Sequence, residues 1–522
     1  MKKQTFAKGA LVLAVCSIIA KGLGGVYRIS LTSVLGAEGI GYYQLVFPFF
    51  SLALALLASG VPVTVSRLVS GELSADNTGG VRTLLQRSLA YALAAGLLGG
   101  VMTIALSRLL AGIQSTDGVY ICYVAIAPAI VFVTLAGVYK GWFLGNGNMT
   151  TVGVSQVAEV IVKLAFGLLA ATYFSRYGIM QSVAGALLAV SLGEFVGFLY
   201  VFVRYLFASK DFRRVMPTPV DRRFFKSLLP VTFSGLVFPV VAFIDSVSIV
   251  NLLEYGGDVR AVTHYGLLTG PVNSLINMPI IFAMSVAVAI VPALASSLAN
   301  YEVVSIKRRT ATSVKVCFII AFPFFAGCAF LAPKIVSLLY PALSSFDKSL
   351  TATLMAISAI DILLLSLLEV FNAVLTGLGR SKPVLVNVAT AGSIKILLQV
   401  LFAPRFGIVA CAFATIVFYS VAMFANAYVY NNLVGKNTIL AKSIAKVLFA
   451  GVIMCVTVFA CSFISDPLIA VIAGALAGGA VYIAAIIVLR ALDSDELRLL
   501  PFCKKLAARA EGRIHGKEKN TI

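Results

Sequence analysis

The chain has 522 residues, of which 60% are hydrophobic and only 12% charged, with a mean hydropathy of +1.00. Soluble domains carry about 25% charged residues, so a water-soluble enzyme or binding module is excluded and the class is membrane protein. The net charge of +20 would suit nucleic acid, but the basic residues gather at the ends of apolar stretches and in the C-terminal tail; membrane topology accounts for them, and no nucleic-acid partner is expected.

A spanning helix needs about 20 mostly apolar residues. Such stretches start near residues 8, 42, 84, 119, 152, 182, 224, 265, 311, 350, 384, 408, 443 and 467, which predicts an all-α polytopic fold of about fourteen spans. An even number puts both termini on one side. With the termini in the cytoplasm, 28 of the 41 Lys and Arg residues fall in cytoplasmic segments and six in outside loops, as the positive-inside rule requires. The expected location is the bacterial cytoplasmic membrane, with basic helix ends resting on anionic lipid headgroups.

Span 1 runs from about Phe6 to Leu35, longer than a signal-peptide core, and is expected to be retained. It carries Lys21 and Arg28, two turns apart on one face and about 10 Å from each other, with Gly22, Gly24 and Gly25 between them. An ionisable group at mid-bilayer costs at least about 2.5–3.5 kcal/mol, so it faces a cavity or a partner. A cationic stripe of this kind suits a diphosphate. Span 2 contains Pro48 and Pro62 and ends at Arg67, near the cytoplasmic face. In span 5, Glu159 and Lys163 form an i, i+4 couple that either neutralises itself or binds substrate. Glu194 follows in span 6.

Spans 7 and 8 hold Pro230, Pro239, Pro271, Pro279 and Pro292. Proline removes a backbone bond and kinks a helix, so these spans either bend during function or are statically kinked for packing. Asp245, six residues after Pro239, leads the candidates for coupling to H+ or Na+, with Glu194 and the span 10 residues Asp361 and Glu369 behind it. Lys395, in span 11, has Ala391 rather than an acid four residues before it, which favours anion binding.

The halves resemble one another. Val138-Tyr139-Lys140-Gly141-Trp142-Phe143-Leu144-Gly145-Asn146-Gly147 ends span 4, and Val370-Phe371-Asn372-Ala373-Val374-Leu375-Thr376-Gly377-Leu378-Gly379 ends span 10, at an offset of 232 that also carries Lys163 onto Lys395. Tyr177-Gly178-Ile179 and Phe406-Gly407-Ile408 lead spans 6 and 12. Duplication of a six-helix unit places a substrate site between two lobes. The expected division is an N-terminal lobe over 1–207, a cytoplasmic linker over 208–223, a C-terminal lobe over 224–433, two appended helices over 434–490 and a basic tail over 491–522. The eight cysteines are scattered without a C-x-x-C pair and read as small core residues. No Walker motif, H-E-x-x-H or cysteine–histidine cluster occurs, so no cofactor or metal is expected and the chain does not read as an enzyme.

Lys3-Gln4-Thr5-Phe6-Ala7-Lys8-Gly9-Ala10, Lys21-Gly22-Leu23-Gly24-Gly25-Val26-Tyr27-Arg28, Ser59-Gly60-Val61-Pro62-Val63-Thr64-Val65-Ser66-Arg67 and Gly141-Trp142-Phe143-Leu144-Gly145-Asn146-Gly147 resemble the stage V sporulation protein B branch of the polysaccharide-exporter flippases. The resemblance implies the superfamily of multidrug and toxin extrusion proteins, oligosaccharide flippases and lipid II flippases, with two six-helix lobes around a cavity and, in the lipid II type, two extra helices. It implies basic residues of span 1 in that cavity; Lys21 occupies a matching place, whereas Tyr27 stands where a second basic residue often appears and Arg28 follows it.

The expected function is flipping, by a monomer, of a lipid-linked anionic saccharide such as a peptidoglycan precursor. Lys21, Arg28, Lys163 and Lys395, with Glu159 and Arg67, are the candidate cavity residues. The alternatives are a cation-coupled multidrug antiporter of the same fold, or a non-transporting membrane scaffold or membrane-embedded glycosyl- or phospho-transferase.

Overall fold

The computed structural model describes residues 6–209 and 223–489; most of the expected linker and the whole of the tail 491–522 lie outside the described residues. The first helix, α1 (Phe6–Leu57), would extend about 78 Å if straight, against a hydrocarbon thickness of about 30 Å. It is not straight. At Gly36 the backbone takes φ 69° and ψ −175°, a conformation open to glycine and strained for other residues. The Arg28 guanidinium then lies 5.5 Å from the centre of the Phe47 ring, a pair that an unbroken helix would hold about 28 Å apart. The chain therefore folds back at Gly36, and α1 holds two spans.

Next come α2 (Gly60–Ser74), α3 (Thr78–Ile113), α4 (Tyr120–Gly145), α5 (Met149–Phe174) and α6 (Ile179–Ala208). Span 7 is made of α7 (Arg223–Ser234) and α8 (Val237–Tyr255). Span 8 is the most broken: α9 (Ala261–Leu267), a π turn over Leu268–Val272 containing Pro271, α10 (Asn273–Ile276) and then α11 (Ile280–Ala299). After α12 (Val303–Phe330) come α13 (Ala332–Leu339), α14 (Ser345–Ser358), α15 (Ile360–Gly377), α16 (Ser381–Phe406), α17 (Ile408–Val434), α18 (Thr438–Cys461) and α19 (Pro467–Val488). No strand occurs among the described residues. Thirteen stretches of them are long and apolar enough to cross a membrane, and the first, Leu11–Ser74, contains the Gly36 reversal. Divided at that reversal, they make fourteen candidate crossings among the described residues, and the protein is a multi-pass membrane protein.

Short polar turns join the helices. Gly147, at φ 75°, leads out of α4, and the Asn148 carboxamide caps α5 by accepting from the Thr151 N–H at 3.2 Å. Asn437 caps α18 in the same way after Gly435, and Asp466 accepts from the Leu468 and Ile469 N–H groups at the start of α19. The internal repeat is visible in backbone as well as sequence. Gly147 and its mate Gly379 have φ of 75° and 73°, and Gly178 and Gly407 both lie at positive φ. Gly145 presses α4 against Ser66 and Val69 of α2, as Gly377 presses α15 against Val291 and Leu294 of α11.

Packing divides the described chain into two compact units. The first comprises Met1–Met278, Leu339–Thr351 and Gly392–Ala414; the second comprises Pro279–Leu338, Ala352–Ala391 and Thr415 onward. In the first, α2 to α6 close around Trp142, Phe143, Tyr139 and the valines Val61, Val65 and Val69. In the second, α11 packs on α15 and α12 on α18. The division crosses span 8 between Met278 and Pro279, at the interruption before α11.

Candidate functional site

Within the first unit, Arg28 projects from α1 half-buried. One of its Nη atoms donates to the Ser274 hydroxyl at 3.4 Å, and its guanidinium lies over Phe47. Among the described residues no carboxylate pairs with it. A guanidinium has five N–H donors, so most of its hydrogen-bonding capacity is uncommitted. Lys21, two turns earlier, is exposed on the same helix.

The lysines paired within this unit are different. Lys140 of α4 meets Glu159 of α5 at 2.6 Å, and Lys163 of α5 meets Glu194 of α6 at 2.5 Å. Glycines on α6 make the room: a Cβ at Gly193 would stand 2.6 Å from the Lys163 side chain and 2.9 Å from the Glu159 carbonyl, and one at Gly197 would strike the Glu159 carboxylate. Lys395 of α16 reaches Asp245 of α8 at 2.5 Å, and the Gln399 carboxamide donates to the other Asp245 oxygen at 3.0 Å. An unpaired charge taken out of water costs several kcal/mol, and an opposite charge with good hydrogen bonds offsets that cost. Two sequence expectations are corrected by this geometry: Glu159 is bonded to Lys140 rather than to Lys163, and Lys395 has a carboxylate partner from another helix.

The other candidates stand apart from these clusters. Arg67 is exposed on α2, and Glu369 is half-buried on α15 with no polar partner among the described residues. Asp361 is buried at the start of α15, in the second unit.

The first unit also holds a seam that single residues in the sequence do not announce. Gly41 of α1 and Gly266 of α9 meet backbone to backbone; a Cβ on Gly266 would collide with the Gly41 main chain, and one on Gly41 with the Val262 carbonyl. Around that crossing Gln44 donates to the Thr269 carbonyl at 2.9 Å, beside the π turn where Pro271 disturbs the ladder. The Tyr265 hydroxyl donates to the Gln44 carbonyl, Gln114 donates to the Leu45 carbonyl and to Ser246, and Ser115 donates to Asn251. Sequence reasoning missed Lys140, Gln399, Gln44 and Gln114. The available signal was a polar residue inside an apolar run.

A duplicated helical unit, broken proline-bearing spans and ionised residues paired inside the bundle together define a polytopic transporter-type membrane protein. Its fold matches that of a solved structure of lipid II flippase MurJ in an inward closed conformation, with a TM-score of 0.69 and 15% identity over 92% of this chain and 99% of that one. The chain belongs to the polysaccharide biosynthesis protein family, whose sequence profile matches residues 6–298. It is 25% identical over 526 residues to stage V sporulation protein B of Bacillus subtilis (strain 168), covering 98% of this chain and all of that one. It is also 24% identical over 417 residues to lipid II flippase MurJ of the same organism, covering 75% of this chain and 76% of the relative.

Proposed function

We propose that the protein is a flippase that carries a lipid-linked, diphosphate-bearing saccharide from the cytoplasmic to the outer leaflet by alternating access, in cell-wall or spore-cortex synthesis. In this reading both termini face the cytoplasm, the chain acts as a monomer and the substrate crosses chemically unchanged. Family membership and the names of its relatives support the substrate class. The observation that carries it is Arg28: a guanidinium within a span, without a carboxylate partner among the described residues, is a standing cost of about 2.5–3.5 kcal/mol or more that an anionic headgroup would offset. Arginine also matches phosphate oxygens in two-pronged hydrogen bonds.

Lys21 extends the positive face toward the N-terminus. Lys163 and Lys395 hold carboxylates in this conformation, so a headgroup engages them only by displacing Glu194 or Asp245. At Asp245, Lys395 supplies the positive charge that a coupling H+ or Na+ would otherwise bring. Coupling there therefore requires the lysine to leave.

The test is reconstitution in liposomes with a fluorescent polyprenyl-diphosphate disaccharide, followed by quenching of the label in the outer leaflet. Arg28→Gln is expected to slow flipping by about tenfold or more, the equivalent of a lost charge-assisted pair at roughly 1.5–3 kcal/mol, with unchanged membrane abundance. Drug efflux without saccharide flipping would overturn the proposal in favour of an antiporter.

A further inference from the structure

On the outer side of α4, α5 and α6 lies an open apolar groove of about 800 Å³. Phe132, Phe166, Leu169, Tyr173, Leu188 and Phe195 wall it, and Gly185, Ala189 and Ala170 form its floor. The floor is low because α5 and α6 touch there; a Cβ at Gly185 would lie 2.7 Å from the Phe174 ring and 3.1 Å from the Ala170 carbonyl. Leu169, Tyr173 and Leu188 are more than half exposed. All three helices are membrane-spanning, so the medium that fills the groove is hydrocarbon.

Its length and its end identify the kind of chain. From Gly185 to Phe195 the helix rises about 15 Å, half of a hydrocarbon core of about 30 Å. The groove thus serves one leaflet. The wall residues of α5 recur at three- and four-residue steps, Phe166, Leu169 and Tyr173, and the next step lands on Arg176 and Tyr177 in the turn before α6. The Tyr173 and Tyr177 rings lie 6.3 Å apart, and Arg176 is exposed between them in sequence. Paired tyrosines with a cation mark the headgroup level of a bilayer, and a cation there favours anionic lipid.

We propose that this groove is a binding site for an anionic glycerophospholipid of the bilayer, with one acyl chain along α5 and α6 and its phosphate on Arg176. The site is separate from the proposed saccharide path: Lys163 and Glu194 lie on the same two helices, and their charges are absent from its lining.

The test uses the whole protein in liposomes containing phosphatidylglycerol or phosphatidylcholine with a photoreactive diazirine on the acyl chain, and the labelled peptides are mapped by mass spectrometry. Label is expected between residues 166 and 195, about fivefold stronger from phosphatidylglycerol, the equivalent of roughly 1 kcal/mol for one interfacial cation. Arg176→Gln should bring phosphatidylglycerol down to the phosphatidylcholine level, and Leu188→Trp should fill the groove and remove the label from both. Arg176 is exposed in a turn, so its variant reads the headgroup preference without disturbing packing. Equal labelling by the two lipids in the unaltered protein, or label that survives Leu188→Trp, would overturn the site. So would displacement by an added polyprenyl diphosphate, which would give the groove to the tail of a transported substrate. Because the probe is an ordinary phospholipid, the result stands or falls independently of saccharide flipping.

Discussion

Gly266→Val is expected to reduce saccharide flipping at least about tenfold while leaving the protein folded and in the membrane. The side chain would have to occupy space held by the Gly41 main chain, with the Ala37 carbonyl also within 3.2 Å of the new Cβ. Backbone cannot move aside as a flexible side chain can, so α1 and α9 must separate, and the hydrogen bonds that cross the seam, from Gln44 to the Thr269 carbonyl and from Gln114 to Ser246, lengthen with them. In the proposed alternating-access cycle this crossing would belong to a closed state, which the wedge would remove. A cysteine pair at Ser115 and Asn251, whose side chains now meet at 2.5 Å, reads the seam directly in a background stripped of native cysteines. Crosslinking should be efficient in the parent and fall sharply with Gly266→Val. Unchanged crosslinking and flipping would show that the glycine crossing is incidental to transport.

The second large effect concerns stability. Lys395→Met removes the cation from Asp245, whose side chain is only 14% exposed, and leaves a buried carboxylate held by Gln399 alone. Breaking such a pair from one side costs about 3–5 kcal/mol, whereas replacing both members is close to neutral. Lys395→Met should therefore unfold at markedly lower temperature in detergent, and Lys395→Met combined with Asp245→Asn should recover most of the loss. A double variant as unstable as the single one would mean that the lysine contributes through packing of its stem rather than through its charge. Flipping by the stable double variant then reports whether Asp245 takes part in coupling.

Much of the fold was legible because it rests on local physics. Apolar runs long enough to span, Gly-Asn turns and proline positions depend on neighbours in sequence, and they indicated the all-α multi-pass fold, with its candidate spans and the interruptions in spans 7 and 8. The Gly36 reversal was legible only as a gap between two apolar runs; its positive φ is a property of the folded backbone. The charge network was less legible. Buried ionisable residues were picked out by the cost of burying them, but partners were sought at helical spacing on the same helix, and the actual pairs join residues 19, 31 and 150 positions apart. The Gly41 and Gly266 contact lay beyond sequence reasoning because a glycine in a span looks the same whether it faces lipid or another backbone. The halves have also diverged where the repeat aligns them: Lys140, bonded to Glu159, corresponds to Asn372, which accepts instead from Asn426 in an uncharged amide ladder with Asn387.

The separation of paired lysines from Arg28 has an electrical consequence. A Lys–Glu or Lys–Asp couple that shifts within the membrane moves no net charge, whereas Arg28 moves one positive charge, worth about 2.3 kcal/mol per 100 mV if it crosses the whole field. If the proposed diphosphate binds there, its negative charge offsets that of Arg28 and Lys21, and the loaded form crosses the field with less positive charge than the empty one. In a cell whose interior is negative, such a difference would draw the empty form inward more strongly than the loaded form, and the voltage alone would then favour export.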